Sequence, residues 1–436
     1  MQHASSFFTL VLMAGLLAGL APRTARAQAP ADTISARRGL TYAAYLGSVG
    51  RNNLALAAQL YNLNLAEAAI ENAKVFPNPV LTMGNASANI SPIQMNQQWY
   101  LGIQQTLVLG GKRRKRLDLA TSQYDLARFQ LSDYLRNLRA DATIAYVNAL
   151  TNEQIIARRR RSYQALAALA DANQKLFNAG TVSEVDVLQS RVEAKLQRNE
   201  LYQAESELRG SLLALSTSLG RPAGADSLYY PSGSLNLTVP DYDLARLTEF
   251  ALARRADLVA ARLSQTVAGK TLRLAQATRV PDIDLALGNN YYTIARNEVA
   301  PTPGFNALTA TASIALPFSN KYKGDLRVAQ YGQRQAEANY LNAELTVRVE
   351  VQQAYTRYVL ARRQLAQYNE GLLTEAERVL AGRTYSYRRG NASLLDVLNV
   401  QRTLNDVYLS FYRAQQNLAT QWVELQRATG LWEIKL

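Results

Sequence analysis

The sequence is written twice. Gly180-Thr-Val-Ser-Glu-Val-Asp-Val-Leu188 returns as Gly390-Asn-Ala-Ser-Leu-Leu-Asp-Val-Leu398, with Gly180/Gly390, Ser183/Ser393, Asp186/Asp396, Val187/Val397 and Leu188/Leu398 in register. The same offset pairs Gly220 with Gly430. Upstream, Ala73-Lys-Val-Phe-Pro77 parallels Ala277-Thr-Arg-Val-Pro281, and Leu107-Val-Leu-Gly-Gly-Lys112 parallels Leu316-Pro-Phe-Ser-Asn-Lys321. Matches that keep their order define an internal two-fold repeat. The reading divides the chain into a leader (1–27), a first repeat (28–220), a linker (221–240) and a second repeat (241–436).

Each repeat has the same order of elements. A helical segment (about 40–73, about 241–276) ends before a Pro. Two extended segments follow: Val80–Ile90 and Gln97–Leu109 in the first repeat, Ile283–Tyr292 and Phe305–Phe318 in the second. A Pro-free stretch then predicts one long helix, Lys112–Ala179 and Lys321–Arg389. At ~1.5 Å per residue such a helix spans roughly 100 Å. A Gly ends it, and a returning helix follows, Ser183–Leu219 and Ser393–Thr429, with Ser183 and Ser393 placed as N-caps. Leu404, Val407, Phe411, Ala414, Leu418, Trp422 and Leu425 form an apolar stripe on the last helix. Val185, Leu188, Val192 and Leu196, continued by Ala204, Leu208, Leu212, Leu215 and Leu219, form another, read as a coiled-coil-like seam. A helix this long cannot fold back inside a compact globule and must lie beside others of its kind.

The extended segments alternate with period two. Trp99, Leu101, Ile103, Leu107 and Leu109 share one face, Gln105 excepted, against Gly102, Gln104 and Thr106. Ile283, Leu285 and Leu287 oppose Asp284 and Gly288, and Leu308, Ala310, Ala312, Ile314, Leu316 and Phe318 oppose Thr309, Thr311 and Ser313. This is the pattern of transmembrane barrel strands, with Trp99, Leu101, Ile103, Leu285, Leu287 and Ile314 expected to face lipid. Trp99, Tyr100, Tyr291 and Tyr292 are read as interfacial aromatics. The alternative is an ordinary half-buried sheet lying on a core. Four strands cannot close a barrel, since the smallest has eight. Two copies give eight strands and a filled interior; three give twelve and an aqueous bore. The fold class expected is therefore mainly α with a small β part: a long α-helical barrel plus four strands per protomer, contributing to a trimeric 12-stranded transmembrane β-barrel.

Composition narrows the chemistry. Cys is absent and the only His is His3. Disulfides, thiolate zinc sites, His bases and Ser-His triads are thereby excluded from the mature chain. Neither an enzyme nor a cofactor is expected. Phe7–Leu20 is an apolar run too short to span a bilayer, and Ala25-Arg26-Ala27 places signal cleavage before Gln28. Loss of Arg23 and Arg26 takes the formal charge from +14 to +12. No later stretch supplies ~18 uninterrupted apolar residues, so a mature chain that crosses a membrane does so as a barrel. Lys112-Arg-Arg-Lys-Arg116 has the look of a nucleic-acid patch. An export signal argues against that partner. These cations open a helix, where the macrodipole disfavours them, and a site at the membrane interface against anionic headgroups would compensate.

On these residues the chain resembles the TolC-like outer-membrane efflux proteins over essentially its whole mature length. The duplicated element order, Phe76-Pro-Asn-Pro79 before the first strand and the paired Gly-x-x-Ser-x-x-Asp-Val-Leu turns carry the resemblance. Leu109-Gly-Gly-Lys-Arg113, with Arg116 and Ala120, is similar to the cation-efflux branch, the relatives of CzcC. The resemblance implies a homotrimer in the outer membrane with a helical extension across the periplasm. It also implies docking to an inner-membrane pump of the resistance-nodulation-division (RND) type through a periplasmic adaptor (membrane fusion) protein. The paired turns, with Gly180, Ser183, Gly390 and Ser393, would form the periplasmic entrance. Asp396 matches the first of the acids that ring the pore after the second turn, Asn399 replaces the second, Ala392 stands where the family has a gate arginine, and Tyr387 matches a gate tyrosine; Asp186, at the equivalent place in the first turn, is a further candidate to line the entrance. The bland alternative for both Asp residues is a first-turn acid favoured by the helix dipole. The function expected is a passive export duct, with heavy-metal cations as candidate cargo and drug efflux or type I protein secretion as alternatives. From another class, the rival is a secreted coiled-coil scaffold or adhesin without a pore.

Overall fold

The computed structural model describes residues 38–90, 93–221, 228–235, 237–296, 298–299 and 301–434. The leader read at 1–27 lies outside them. In chain order the elements are β1 (Arg38–Thr41), α1 (Tyr42–Asn52), α2 (Leu54–Lys74), β2 (Val80–Ile90), β3 (Ile93–Leu107), α3 (Lys112–Asn178), α4 (Glu184–Ser218) and β4 (Tyr229–Ser232). The second repeat supplies α5 (Leu244–Arg254), α6 (Ala256–Thr278), β5 (Ile283–Tyr292), β6 (Phe305–Ile314) and α7 (Lys323–Gln367). A π turn (Tyr368–Leu372), α8 (Leu373–Arg388) and α9 (Leu394–Thr429) complete it.

Three expectations change. Each opening helix is two helices, divided at Asn53 and at Arg255. The Asn53 carboxamide caps α2 by accepting from the Leu56 N–H at 2.9 Å and donates to the Ser218 carbonyl at 3.1 Å, so the break is tied to the end of α4. The second long helix is also interrupted. Gly371 takes φ +124° in the π turn between α7 and α8, whereas α3 runs unbroken for 67 residues. Finally, β1 at the start of the first repeat pairs in parallel with β4 in the linker, each strand four residues long. The linker thus runs beside the start of the described chain.

The core lies midway along the long helices. Tyr146 on α3 is fully buried, its ring centroid 5.5 Å from that of Tyr42 and 5.4 Å from that of Tyr45. Its hydroxyl sits 2.8 Å from the carbonyls of Leu40 and Ser232, stitching α3 to the β1–β4 pair. Tyr358 on α7 does the matching work in the second repeat, donating to the Pro240 carbonyl at 2.5 Å. Leu212, Leu215, Val351, Leu418, Val423 and Leu425 fill the space between.

Beside this core the helix break at Arg255 places a buried cation. Arg255 is 3% exposed. It holds Asp257 with two hydrogen bonds of 3.0 and 2.6 Å, pairs with Glu350 of α7 at 2.7 Å, and donates to the Ala428 carbonyl of α9 at 2.8 Å. One side chain therefore ties α6, α7 and α9. Burial alone would raise the Asp257 carboxyl, but the bonds and charge of Arg255 outweigh it and leave the carboxyl below its ordinary 3.8. A depressed carboxylate stabilises the fold above that ordinary value, and the contribution is lost as pH falls through the lower folded value. Arg255→Met should cost on the order of 2–3 kcal/mol by leaving two carboxylates without their partner, the partial exposure of Glu350 limiting the loss. Thermal melts followed by circular dichroism should show this deficit at neutral pH, and the gap to wild type should shrink as pH falls below about 4.

Candidate functional site

The first candidate surface is the sheet, with order β2-β3-β5-β6 and every pairing antiparallel. The β3–β5 pairing joins the two repeats through one sheet. Register puts Leu81, Ile103, Leu287 and Ala310 in one row and Met83, Leu101, Asn289 and Leu308 in the next. Trp99, Leu101, Ile103, Leu285, Leu287 and Ile314 are all exposed in the protomer. Among the described residues no helix covers them. Gln105, the polar exception, spends its amide on the Pro77 carbonyl at 2.8 Å at the base of the sheet.

The other face is a polar ladder. Gln98 donates to Asn290 at 2.7 Å, Asn290 donates to Thr309 at 2.8 Å, and Thr106 donates to Asp284 at 2.5 Å. Tyr100 lies on this face, flat over Gly102 and Gly288, and a Cβ at Gly288 would come within 2.5 Å of its ring. The interfacial-aromatic expectation is therefore divided. Trp99 and Tyr291 are cross-strand partners on the apolar face, while Tyr100 and Tyr292 belong to the polar one, where Tyr292 stacks on Phe305 at 4.7 Å. The strand parity decides this, whatever the residue type.

Below the sheet, part of the basic cluster finds partners within the chain. Lys112 pairs with Asp282 at 2.8 Å. Arg113 donates to the Lys74 carbonyl at 2.7 Å and lies 4.1 Å over the Phe76 ring. Burial would raise the Asp282 carboxyl, but the Lys112 ammonium and the Leu109 N–H hold it below the ordinary range. Arg114 and Arg116 stay exposed and Lys115 is half-buried.

The second candidate surface is the pair of helical turns at the far ends of α3 and α8. Their shared motif has a local physical meaning. Gly180 and Gly390 take φ of +73° and +75°, which glycine adopts without a Cβ penalty. The Gly180 N–H donates to Phe177 O and the Thr181 N–H to Leu176 O, both at 2.8 Å; Gly390 and Asn391 do the same to Tyr387 O and Ser386 O at 2.9 Å. These are Schellman closures. Three residues on, Ser183 and Ser393 cap α4 and α9. Asp186 and Asp396 complete capping boxes, each accepting from its own serine's N–H and hydroxyl through Oδ2. Those bonds, with Arg383 nearby, hold the Asp396 carboxyl below its ordinary value. Asn399 is exposed one turn further along α9.

Tyr387 joins the two hairpins. Its hydroxyl donates to Asn173 Oδ1 at 3.0 Å, beside a small cluster of Leu166, Ala194, Leu394 and Leu398. Burial first, and the nearby Asp186 carboxylate second, push the phenol above its ordinary 10, so it remains a neutral donor. Asn173 is fully buried and its Nδ2 has no partner. A second link, Arg402 to Glu193, joins α9 to α4 at 2.9 Å. The sequence reading missed Asn173, Glu193 and Arg402, because nothing in the repeat marks residues whose partners lie in the other half. Of the expected α4 seam, the second half is buried as read, at Ala204, Leu208, Leu212, Leu215 and Leu219, and the first half is not covered by the protomer. Val185, Leu188, Val192 and Leu196 are each at least half exposed, and the packed row is Val187, Ser190, Ala194, Gln197 and Leu201. The first half of the helix carries two rows, and there the protomer covers only the one with smaller and more polar side chains.

Long helix pairs that end in an open, two-faced sheet define a pore-forming envelope protein. The chain belongs to the outer membrane efflux protein family, whose model matches residues 46–221 and again 247–431. It is 26% identical over 371 residues to the cobalt-zinc-cadmium resistance protein CzcC of Cupriavidus metallidurans, covering 84% of each chain. To nodulation protein T of Rhizobium leguminosarum bv. viciae it is 25% identical over 354 residues, 79% of this chain and 70% of that one. The CmeC outer membrane channel of Campylobacter jejuni superposes with a TM-score of 0.75 at 15% identity, covering 88% of this chain and 84% of CmeC. The fold is thus that of the outer-membrane channels: a long α-helical barrel in the periplasm, and four strands per protomer within a trimeric 12-stranded β-barrel. The protein is an export duct in the outer membrane, not an enzyme.

Tyr100 and the glycine pair make this sheet testable. Gly288→Val should force the ring off the ladder and destabilise the barrel by about 1–3 kcal/mol. In unheated, detergent-extracted envelope the trimer band should then dissociate at a lower temperature than wild type, and Tyr100→Ala in the same chain should restore much of the loss.

Proposed function

We propose that the duct is the outer-membrane part of a tripartite efflux system. It receives heavy-metal cations from an RND-type inner-membrane pump through a periplasmic adaptor and conducts them passively outward. The observation that carries the cargo is the likeness to a cobalt-zinc-cadmium resistance protein over 84% of both chains. With no Cys and His3 as its only His, the chain offers a transition-metal cation little but carboxylate and carbonyl oxygens, and a duct need not bind what it passes. Conduction requires contacts weak enough to leave, so selectivity belongs to the pump.

The turns are the entrance in this reading, with Asp186, Asp396 and Asn399 near the mouth and Tyr387 as the latch between hairpins. The Tyr387–Asn173 bond suits a contact that must open. Closing it buries the Asn173 Nδ2 unpaired, and an unmet buried donor costs about 1–3 kcal/mol. Separation of the hairpins returns that group to water, which offsets the hydrogen bond lost. The basic cluster at Lys112, Arg113, Arg114, Lys115 and Arg116 faces the inner-leaflet headgroups of the outer membrane, with Arg114 and Arg116 as its exposed members.

Deletion of the gene in its host should lower tolerance to Co²⁺, Zn²⁺ and Cd²⁺ while leaving tolerance to hydrophobic drugs unchanged. Unaltered metal tolerance, or a loss confined to drugs, rules out the cargo proposed. Tyr387→Phe in the whole channel should raise open probability in planar bilayers several-fold, the hydrogen bond being worth about 0.5–1.5 kcal/mol.

A further inference from the structure

The two helical turns share one backbone frame and differ in charge, so each repeat serves as a control for the other. Between positions 171 and 186 the first turn has Lys175 against Asp171, Glu184 and Asp186, a net of −2. The equivalent stretch of the second, 381 to 396, has Arg383, Arg388 and Arg389 against Asp396, a net of +2. Where the second turn carries arginine, the first has Asn173, Asn178 and Ala179; where the first carries Asp171 and Glu184, the second has Ala381 and Leu394.

The fold does not ask for these arginines. Both turns are closed by the same glycine, serine and aspartate bonds. The dipole at the end of α8 favours cations at Arg388 and Arg389. It acts equally at the end of α3, which has Asn178 and Ala179 at the matching positions and only Lys175 in its last turn, and it does not reach Arg383 more than a turn upstream. All three arginines are exposed, and among the described residues none is in an ion pair. Helix α8 buries no residue at all. Beside the arginines stand exposed apolar groups, Tyr385 at 57% and Leu395 at 51%, and the Arg389 guanidinium lies 4.4 Å over the Tyr385 ring. Exposed Arg and Tyr side by side are what docking surfaces are enriched in.

We propose that the second turn is the docking surface for an acidic patch on a periplasmic partner protein, and that the first turn is not equivalent to it. The inference rests on the reading of this end as the one that receives a partner, and adds the partner's chemistry. Around a trimer the mouth carries two kinds of tip, basic and acidic, in alternation. A partner that meets both must present charges of alternating sign, or else engage only every second tip. Contacts between exposed charges weaken as salt shortens the screening length, so docking at the second turn is salt-sensitive.

The test uses the full-length channel in nanodiscs and two synthetic helical-hairpin peptides of equal length, one with four Glu at its tip and one with four Lys. Three exposed charge pairs at a few tenths of a kcal/mol each amount to about a ten-fold preference for the Glu hairpin at low salt. R383E/R388E/R389E should reverse that preference, the matching lysine triple should keep it, and salt at several times the physiological level should erase it. Equal binding of the two hairpins, or a preference indifferent to the triple reversal, overturns the proposal. So does dissociation of the trimer by that reversal, which would assign the arginines to the acidic turn of a neighbouring copy. A photo-crosslinking residue at position 385 or 175 in whole cells separates this inference from the reading beneath it. Adducts at neither position sink both. Adducts at both that persist in the triple reversal sink the inference alone and leave the partner in place.

Discussion

The structure depends on what it leaves unpaired. The four-stranded sheet has β2 and β6 at its edges, each with a row of backbone N–H and C=O groups that meets no further strand among the described residues of the protomer. One face of that sheet is apolar and uncovered. In water both features invite aggregation. In a bilayer the apolar face is satisfied by lipid, but the edges are not, because hydrocarbon offers no hydrogen bonds. Only pairing with further strands removes the cost, and copies of the chain supply them. The aliphatic row of Val185, Leu188, Val192 and Leu196 poses the same demand along α4. Sheet and helices are each half of an interface, and the same assembly completes both.

Much of this was legible in the sequence because it rests on short, strict periods. Alternation at period two gave β2, β5 and the faces of β3 and β6 to within a few residues, and the Gly-x-x-Ser-x-x-Asp frame placed both turns. What escaped had longer or weaker causes. The breaks at Asn53 and Arg255 depend on caps whose partners are far away in sequence. The β1–β4 pair joins strands too short to show a pattern. Residue type misleads for Tyr100, whose face is decided by parity, and side-chain size misleads in the first half of α4, where the protomer buries the smaller row; the second half of that seam is buried as its period predicts. Asn173 had no signal, since its importance comes from Tyr387 in the other repeat.

The two repeats agree where they must and diverge where they are free. Midway along the molecule Tyr146 and Tyr358 perform matched tasks, and Arg255 locks three helices with buried bonds. Towards the turns burial falls away, α8 packs nothing into a core, and a π turn interrupts the second hairpin alone. Rigidity is concentrated near the middle and latitude at the tips. That distribution suits a conduit whose wall must hold along its length while its helical tips are free to vary.

The capping boxes carry a consequence for how such a mouth can vary. Both serine bonds of each box fall on a single carboxylate oxygen, Oδ2 of Asp186 and of Asp396. The second oxygen of each group takes no part in the box. Each of these charges is therefore also a piece of helix-initiation chemistry. A substitution that removes the acceptor, such as alanine, unpicks the first turn of a helix about 35 residues long. Among neutral side chains, only one that still accepts at this position, such as asparagine, discards the charge and keeps the cap.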